Sequence, residues 1–191
     1  MKLVFATNNI NKLKEVQSIV PKDIVLLGLE DIGCFEDVPE TQETIEGNAI
    51  QKAKYIKEHY GYDCFADDTG LEVYALDGAP GVYSARYAGP QRDADDNMDK
   101  LLNDLSNHQN RKAQFKTVIA LILNNELSTF SGICPGEITK EKHGTKGFGY
   151  DPIFKAEGHD RTFAEISLEE KNKVGHRGKA VRKLVAFLNS L

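Results

Sequence analysis

Six consecutive apolar residues, Val118 to Leu123, stand in the middle of the chain with no charge among them. A run of this kind suits a strand covered on both faces, because a half-solvated strand alternates apolar and polar residues. The chain is therefore expected to build a sheet with material packed on both of its sides. Phe115 to Leu123 is read as that central strand, and Asn124-Asn125 turns the chain into a partner strand from Leu127 to Ile133, a long hairpin.

What covers the sheet is read from the helical spacings. Lys2 to Thr7 is an N-terminal strand. From Asn11 onward Leu13, Val16 and Val20 share one helical face, with Asn9 or Asn11 as the cap. A second helix runs from about Thr44 to Tyr60, carried by Ile45, Ala49, Ala53, Ile56 and Tyr60, and ends near Gly61. Asp63 to Ala66 and Leu71 to Leu76 read as two short strands with the polar Asp67-Asp68-Thr69-Gly70 between them. A helix follows from about Gln91 to Leu105. The last runs from about Gly178 to Leu191, with Val181, Leu184, Val185, Leu188 and Leu191 as its stripe. Alternating strands and helices make this a mixed α/β protein. Its 191 residues, 40% hydrophobic and 28% charged, fit one ordinary globular domain, residues 1–191, with no linker or repeat to divide it.

Composition narrows the function. A net charge of −5 argues against gripping long nucleic acid, which needs a surplus of Lys and Arg. No apolar run approaches the ~18 residues of a membrane span, and the start of the chain lacks a signal-peptide core, so a cytoplasmic protein is expected. Cys34, Cys64 and Cys134 lie far apart and read as small buried hydrophobes rather than disulfide or zinc ligands.

Five acids, Glu36, Asp37, Glu40, Glu43 and Glu46, fall in eleven positions with no Lys or Arg. They serve either as a solvated helix start or as metal ligands. Asp67 and Asp68 follow the apolar Cys64-Phe65-Ala66, so a strand delivers two adjacent like charges to one place. They cap a turn with Thr69-Gly70, or they share a cation, and hard carboxylate oxygens select Mg²⁺ or Mn²⁺. Thr7-Asn8-Asn9-Ile10-Asn11-Lys12 lies where a strand hands over to a helix, a place that receives phosphate, although Asn-rich loops also cap helices with no ligand. Gly147-Phe148-Gly149-Tyr150-Asp151-Pro152 is either a connecting turn or a loop whose rings stack on a base. Six cations fall from Lys171 to Lys183, Arg177 among them; they are either a solvated face or, with Gly175 and Gly178 flanking His176-Arg177, a tight backbone that places two multi-donor side chains. Together these segments describe a metal-dependent enzyme acting on a nucleotide.

Taken in order, Thr7-x-Asn9-x-x-Lys12, Pro39-Glu40, Asp67-Asp68-Thr69-Gly70-Leu71, Gly78 to Tyr87, Gly147 to Pro152, Glu170-Lys171-Asn172 and Gly175-His176-Arg177 resemble the inosine triphosphate pyrophosphatases, the dITP/XTP pyrophosphatase family. The resemblance covers the whole chain. It implies Mg²⁺-dependent hydrolysis of ITP, dITP and XTP to the monophosphate and pyrophosphate by a cytoplasmic homodimer that cleanses the nucleotide pool. It also implies an elongated mixed sheet flanked by helices, in two lobes around a cleft. By position, Thr7, Asn8, Asn9, Ile10, Asn11 and Lys12 would hold the triphosphate, Glu40 and Asp68, with Asp67 close by, the metal, and Asp68 would accept the proton. Thr69, Phe148, Gly149, Tyr150, Asp151, Lys171, His176 and Arg177 would contact substrate, with Arg177 expected opposite position 2 of the base. Thr69 and Gly175 depart from the Ser that the family often carries at those two positions.

Overall fold

The computed structural model describes residues 1–191. Seven strands form one sheet: β1 (Lys2–Phe5), β2 (Val25–Leu27), β3 (Cys64–Val73), β4 (Pro80–Gly81), β5 (Lys112–Leu123), β6 (Glu126–Ile138) and β7 (Phe154–Ala156). Their order is β2-β1-β3-β5-β6-β7, with β4 attached to β3. β1 runs parallel to both β2 and β3, pairing Val4 with Cys64 and Phe5 with Phe65, whereas β3–β4 and β6–β7 are antiparallel. The sheet is therefore mixed, and five helices accompany it: α1 (Ile10–Gln17), α2 (Ile45–Tyr60), α3 (Ala94–Asp104), α4 (Leu168–Val174) and α5 (His176–Leu188). As the apolar run demands, Val118 to Ile122 are all buried. Asn124 and Asn125 take positive φ, 51° and 67°, the primed-turn geometry that matches the twist of a hairpin.

Several boundaries differ from those expected. The polar Asp67-Asp68-Thr69-Gly70 is no break: β3 continues through it as one ten-residue strand. β6 extends to Ile138, and α5 begins at His176 rather than Gly178. The short α4 escapes a reading centred on cations, yet Ser167 and Glu170 form a complete capping box at its start.

The chain divides into two compact units, each assembled from separated stretches. The first comprises residues 1–68, 117–132 and 177–191. Its core joins Leu3, Phe5, Phe65, Ile119 and Leu121 from strands to Val16 of α1 and Ala180, Val181, Leu184 and Leu188 of α5. Phe5 and Phe65 stack with centroids 4.5 Å apart, as the β1–β3 register requires. The second unit comprises residues 69–116 and 133–176, and its core gathers Leu71, Val73, Leu101, Leu105, Phe115, Phe154 and Phe163.

All three cysteines are buried thiols, and burial pushes that of Cys64 up to about 12. A thiolate-selective reagent at pH 8 is thus expected to leave the native protein unlabelled over minutes and to label three thiols in denaturant. Absorbance of the released chromophore checks this.

Candidate functional site

In the first unit the chemistry starts with Asp67 and Asp68 in the interior of β3. Successive strand residues point to opposite faces, so the two carboxylates enter different surroundings. Asp67 is 1% exposed, and its Oδ1 accepts from Lys12 Nζ at 3.0 Å while its Oδ2 accepts from Arg177 Nε at 3.1 Å. Arg177, itself buried, also donates through Nη1 to Glu15 of α1. Burial opposes the Asp67 charge, but Lys12, Arg177 and Lys52 outweigh it and hold the carboxyl far below the usual range. With both oxygens given to cations, Asp67 has less to offer a metal than Asp68 has.

Asp68 meets α2. Asn48 Nδ2 donates to its Oδ2 at 3.2 Å, and Lys52 Nζ lies 3.9 Å from its Oδ1. The same ammonium donates to Glu40 and to the carbonyl oxygen of Asp67, the latter at 2.7 Å. Asn48 and Lys52 lie one turn apart on α2, so one helix face serves one strand position. Burial, with Glu40 and Asp67 adding like charge, pushes the Asp68 carboxyl up despite Lys52 and Lys12. The carboxylates Glu15, Glu40, Asp67 and Asp68 face the cations Lys12, Lys52 and Arg177, so the cluster carries one net negative charge.

The donors at Glu40 and Asp68 fit a hard divalent ion: they are carboxylate oxygens without Cys or His, and an ammonium already sits among them as a cation does. No group of three or more His, Cys, Asp or Glu converges anywhere. The protein can thus supply two carboxylates and leave the remaining positions to water and phosphate, the arrangement Mg²⁺ prefers.

The strand-to-helix loop is closed on itself. Thr7 Oγ1 accepts from the Asn9 amide at 3.1 Å, and Asn9 Oδ1 accepts from the amides of Asn11 and Lys12 at 3.0 and 3.2 Å. Asn9 is therefore the cap of α1, one of the two candidates named from the sequence. Asn8, Asn9, Ile10 and Asn11 are exposed.

In the second unit, Gly147 and Gly149 take positive φ, 74° and 62°, and a Cβ at Gly147 would collide with the Asp151 carboxylate. That carboxylate accepts from the Phe148 amide at 2.9 Å and from Lys171 Nζ at 2.6 Å. The Lys171 ammonium also lies 4.7 Å from the Phe148 ring centroid, a cation–π contact. Asp151 and Lys171 are buried and hold the loop, whereas Phe148 and Gly149 are half-buried. Tyr150 belongs to the core, with its hydroxyl donating to the Ser84 carbonyl at 2.8 Å, so its ring packs inside the unit. His176 is 3% exposed and stacks on Phe115 at 4.4 Å. At 175, where the family often carries Ser, a Cβ would stand 2.6 Å from the Lys171 carbonyl oxygen, so the backbone here is drawn in around glycine.

Arg177, expected opposite a base, is held from the other side. Nε and Nη1 are committed to Asp67 and Glu15, so this guanidinium is anchored by two carboxylates. Sequence reasoning missed Glu15, Asn48 and Lys52. Lys52 carried a usable signal, since it interrupts the apolar face of α2 beside Ala49, Ala53 and Ile56, where all four are buried.

A family model described as "Ham1 family" matches residues 3–187. The chain is 65% identical over 190 residues to a dITP/XTP pyrophosphatase of Flavobacterium johnsoniae, covering 100% of this chain and 99% of that protein. It is 62% identical to the protein of the same name from Flavobacterium psychrophilum, over 100% of each. Among solved structures, the Staphylococcus aureus Ham1 protein superposes with a TM-score of 0.91 at 42% identity, over 100% of this chain and 99% of that one.

Proposed function

The chain belongs to the Ham1 family, and from that premise we propose that it hydrolyses deaminated purine nucleoside triphosphates, ITP, dITP and XTP, to the monophosphate and pyrophosphate. It does so with Mg²⁺, as a cytoplasmic homodimer, and thereby keeps these nucleotides out of DNA and RNA. The observation that carries the reading is the Glu40–Asp68 pair, two carboxylates gathered about one ammonium beside a buried, fully paired Asp67. The names of the relatives supply the substrate class.

Glu40 and Asp68 would hold the metal, which when bound screens the phosphate charge and polarises the scissile linkage. Asp68 accepts the proton of a water attacking the α-phosphorus. Its raised affinity for a proton, caused by burial, suits that role. Lys12, beside Asp67, offsets charge that builds on the departing pyrophosphate, and the amides and side chains of Thr7 to Asn11 cradle the phosphates once Asn9 gives up its capping contacts. Thr69 contributes its hydroxyl beside them. Phe148 stacks on the base, with Gly149 allowing close approach and Asp151 and Lys171 fixing the loop, and His176 and Arg177 are further contacts to substrate. Donors aimed at O6 would favour hypoxanthine and xanthine and reject adenine, which presents an amino group there.

The test is a panel of nucleoside triphosphates with Mg²⁺, scored for pyrophosphate against orthophosphate. Pyrophosphate from ITP, dITP and XTP about 10²-fold faster than from ATP or GTP is expected. Release of orthophosphate instead, or a preference for a standard triphosphate, overturns the reading.

A further inference from the structure

Lys52 is the least expected member of the first unit's charged cluster. The residue is 6% exposed, on a face of α2 whose other buried members are Ile45, Asn48, Ala49, Ala53 and Ile56, and its ammonium is shared by Glu40, the Asp68 carboxylate and the Asp67 carbonyl oxygen. Two of these three partners are the carboxylates assigned to the metal. A buried ammonium with two carboxylate partners is held by them as much as it holds them, because its charge is compensated only while at least one stays beside it.

We propose that Lys52 is a built-in counter-ion of the metal site: it keeps Glu40 and Asp68 gathered without a divalent ion, and a divalent ion gains full hold of them only by displacing it. The inference rests on the metal reading given above for Glu40 and Asp68. Its basis is charge arithmetic. With Lys52 in place the seven charged groups sum to −1, and a divalent ion would turn that to +1 inside a largely buried setting. The ion and the ammonium repel each other at the same two carboxylates, so entry of metal alone is opposed. A polyphosphate reverses the sign again and gives the displaced ammonium an anionic partner. Metal and nucleotide are therefore linked, each raising the affinity for the other by the same factor, with Lys52 as the element that couples them.

The consequence is measurable without turnover. Free Mn²⁺ has an electron paramagnetic resonance signal that fades on binding, and titration of nucleotide-free protein reads the affinity directly. Wild type should bind Mn²⁺ weakly. Lys52→Met should bind it about tenfold more tightly, Lys52→Arg should stay near wild type because the charge remains, and Glu40→Gln combined with Lys52→Met should lose the gain. Adding inosine α,β-methylene triphosphate should tighten Mn²⁺ binding strongly in wild type and by a smaller factor in Lys52→Met. Circular dichroism checks that the variants fold, and Lys52→Gln serves as the neutral variant if Lys52→Met does not. A folded neutral variant with unchanged or weaker Mn²⁺ affinity overturns the counter-ion role, while the metal site itself stands if nucleotide-assisted binding in wild type still depends on Glu40. Loss of that Glu40 dependence as well overturns the metal reading beneath it.

Discussion

Asp68→Asn is expected to lower the rate of pyrophosphate release by about 10³-fold, in the range that removal of a positioned general base produces. Asparagine has nearly the shape of aspartate, and its carbonyl oxygen can accept the Asn48 amide hydrogen bond now made at 3.2 Å. Burial already disfavours the Asp68 charge, so its removal costs the fold little, about 1 kcal/mol or less. Catalysis and stability should thus separate. Steady-state kinetics on ITP, with a thermal melt of the same sample, read both. A variant retaining a tenth of its activity, or melting far below wild type, would count against Asp68 as proton acceptor.

Arg177→Met should do the reverse and act first on stability. It takes from Glu15 and Asp67, 4% and 1% exposed, the guanidinium that is hydrogen-bonded to both. Breaking a buried pair from one side costs about 3–5 kcal/mol, which for a chain of this size lowers the melting temperature by about 10–15 °C at pH 7.5. The pH dependence has a definite sign. In wild type Asp67 titrates below its unfolded value, so its stabilisation is complete above the ordinary carboxylate range and is lost as pH falls below it. Without Arg177 that depression shrinks, protonation relieves the charge sooner, and the gap between variant and wild type should hold level from pH 7.5 down to the ordinary carboxylate range and narrow as pH falls below about 4. Differential scanning fluorimetry across and below that range checks it; a gap that stays constant to the end, or widens, would show that Arg177 is held by packing rather than by charge. Loss of selectivity between XTP and GTP in the same variant cannot be assigned to base contact alone, since the counter-charge of Asp67 goes with it.

How much of this was legible beforehand depended on whether the cause was local. Thr44 and Gly61 bound α2 because capping and termination are written within a few residues, and Thr44 Oγ1 does accept from the Gly47 amide. Asn124-Asn125 declared its turn for the same reason. The path of β3 through Asp67-Asp68-Thr69-Gly70 was not legible, because two carboxylates inside a buried strand are tolerable only with counter-charges from elsewhere. Lys12 is 55 positions away and Arg177 110, and no window on the chain holds all of them. The same reasoning explains why the acids and the C-terminal cations were recognised as chemistry while their pairing was not. Strands of three residues, such as β2 and β7, carry too little pattern to be read at all.

The first unit is sewn from three stretches, and the last of them is the final fifteen residues, 177–191. A nascent chain therefore carries Glu15 and Asp67 for 162 and 110 positions with the guanidinium that joins them still unmade. Val181, Leu184 and Leu188, which close the core beneath those charges, arrive in the same closing segment. The order of manufacture thus withholds a finished charged cluster until Arg177 has been added, and a product cut short before it lacks both the apolar stripe and the balancing charge.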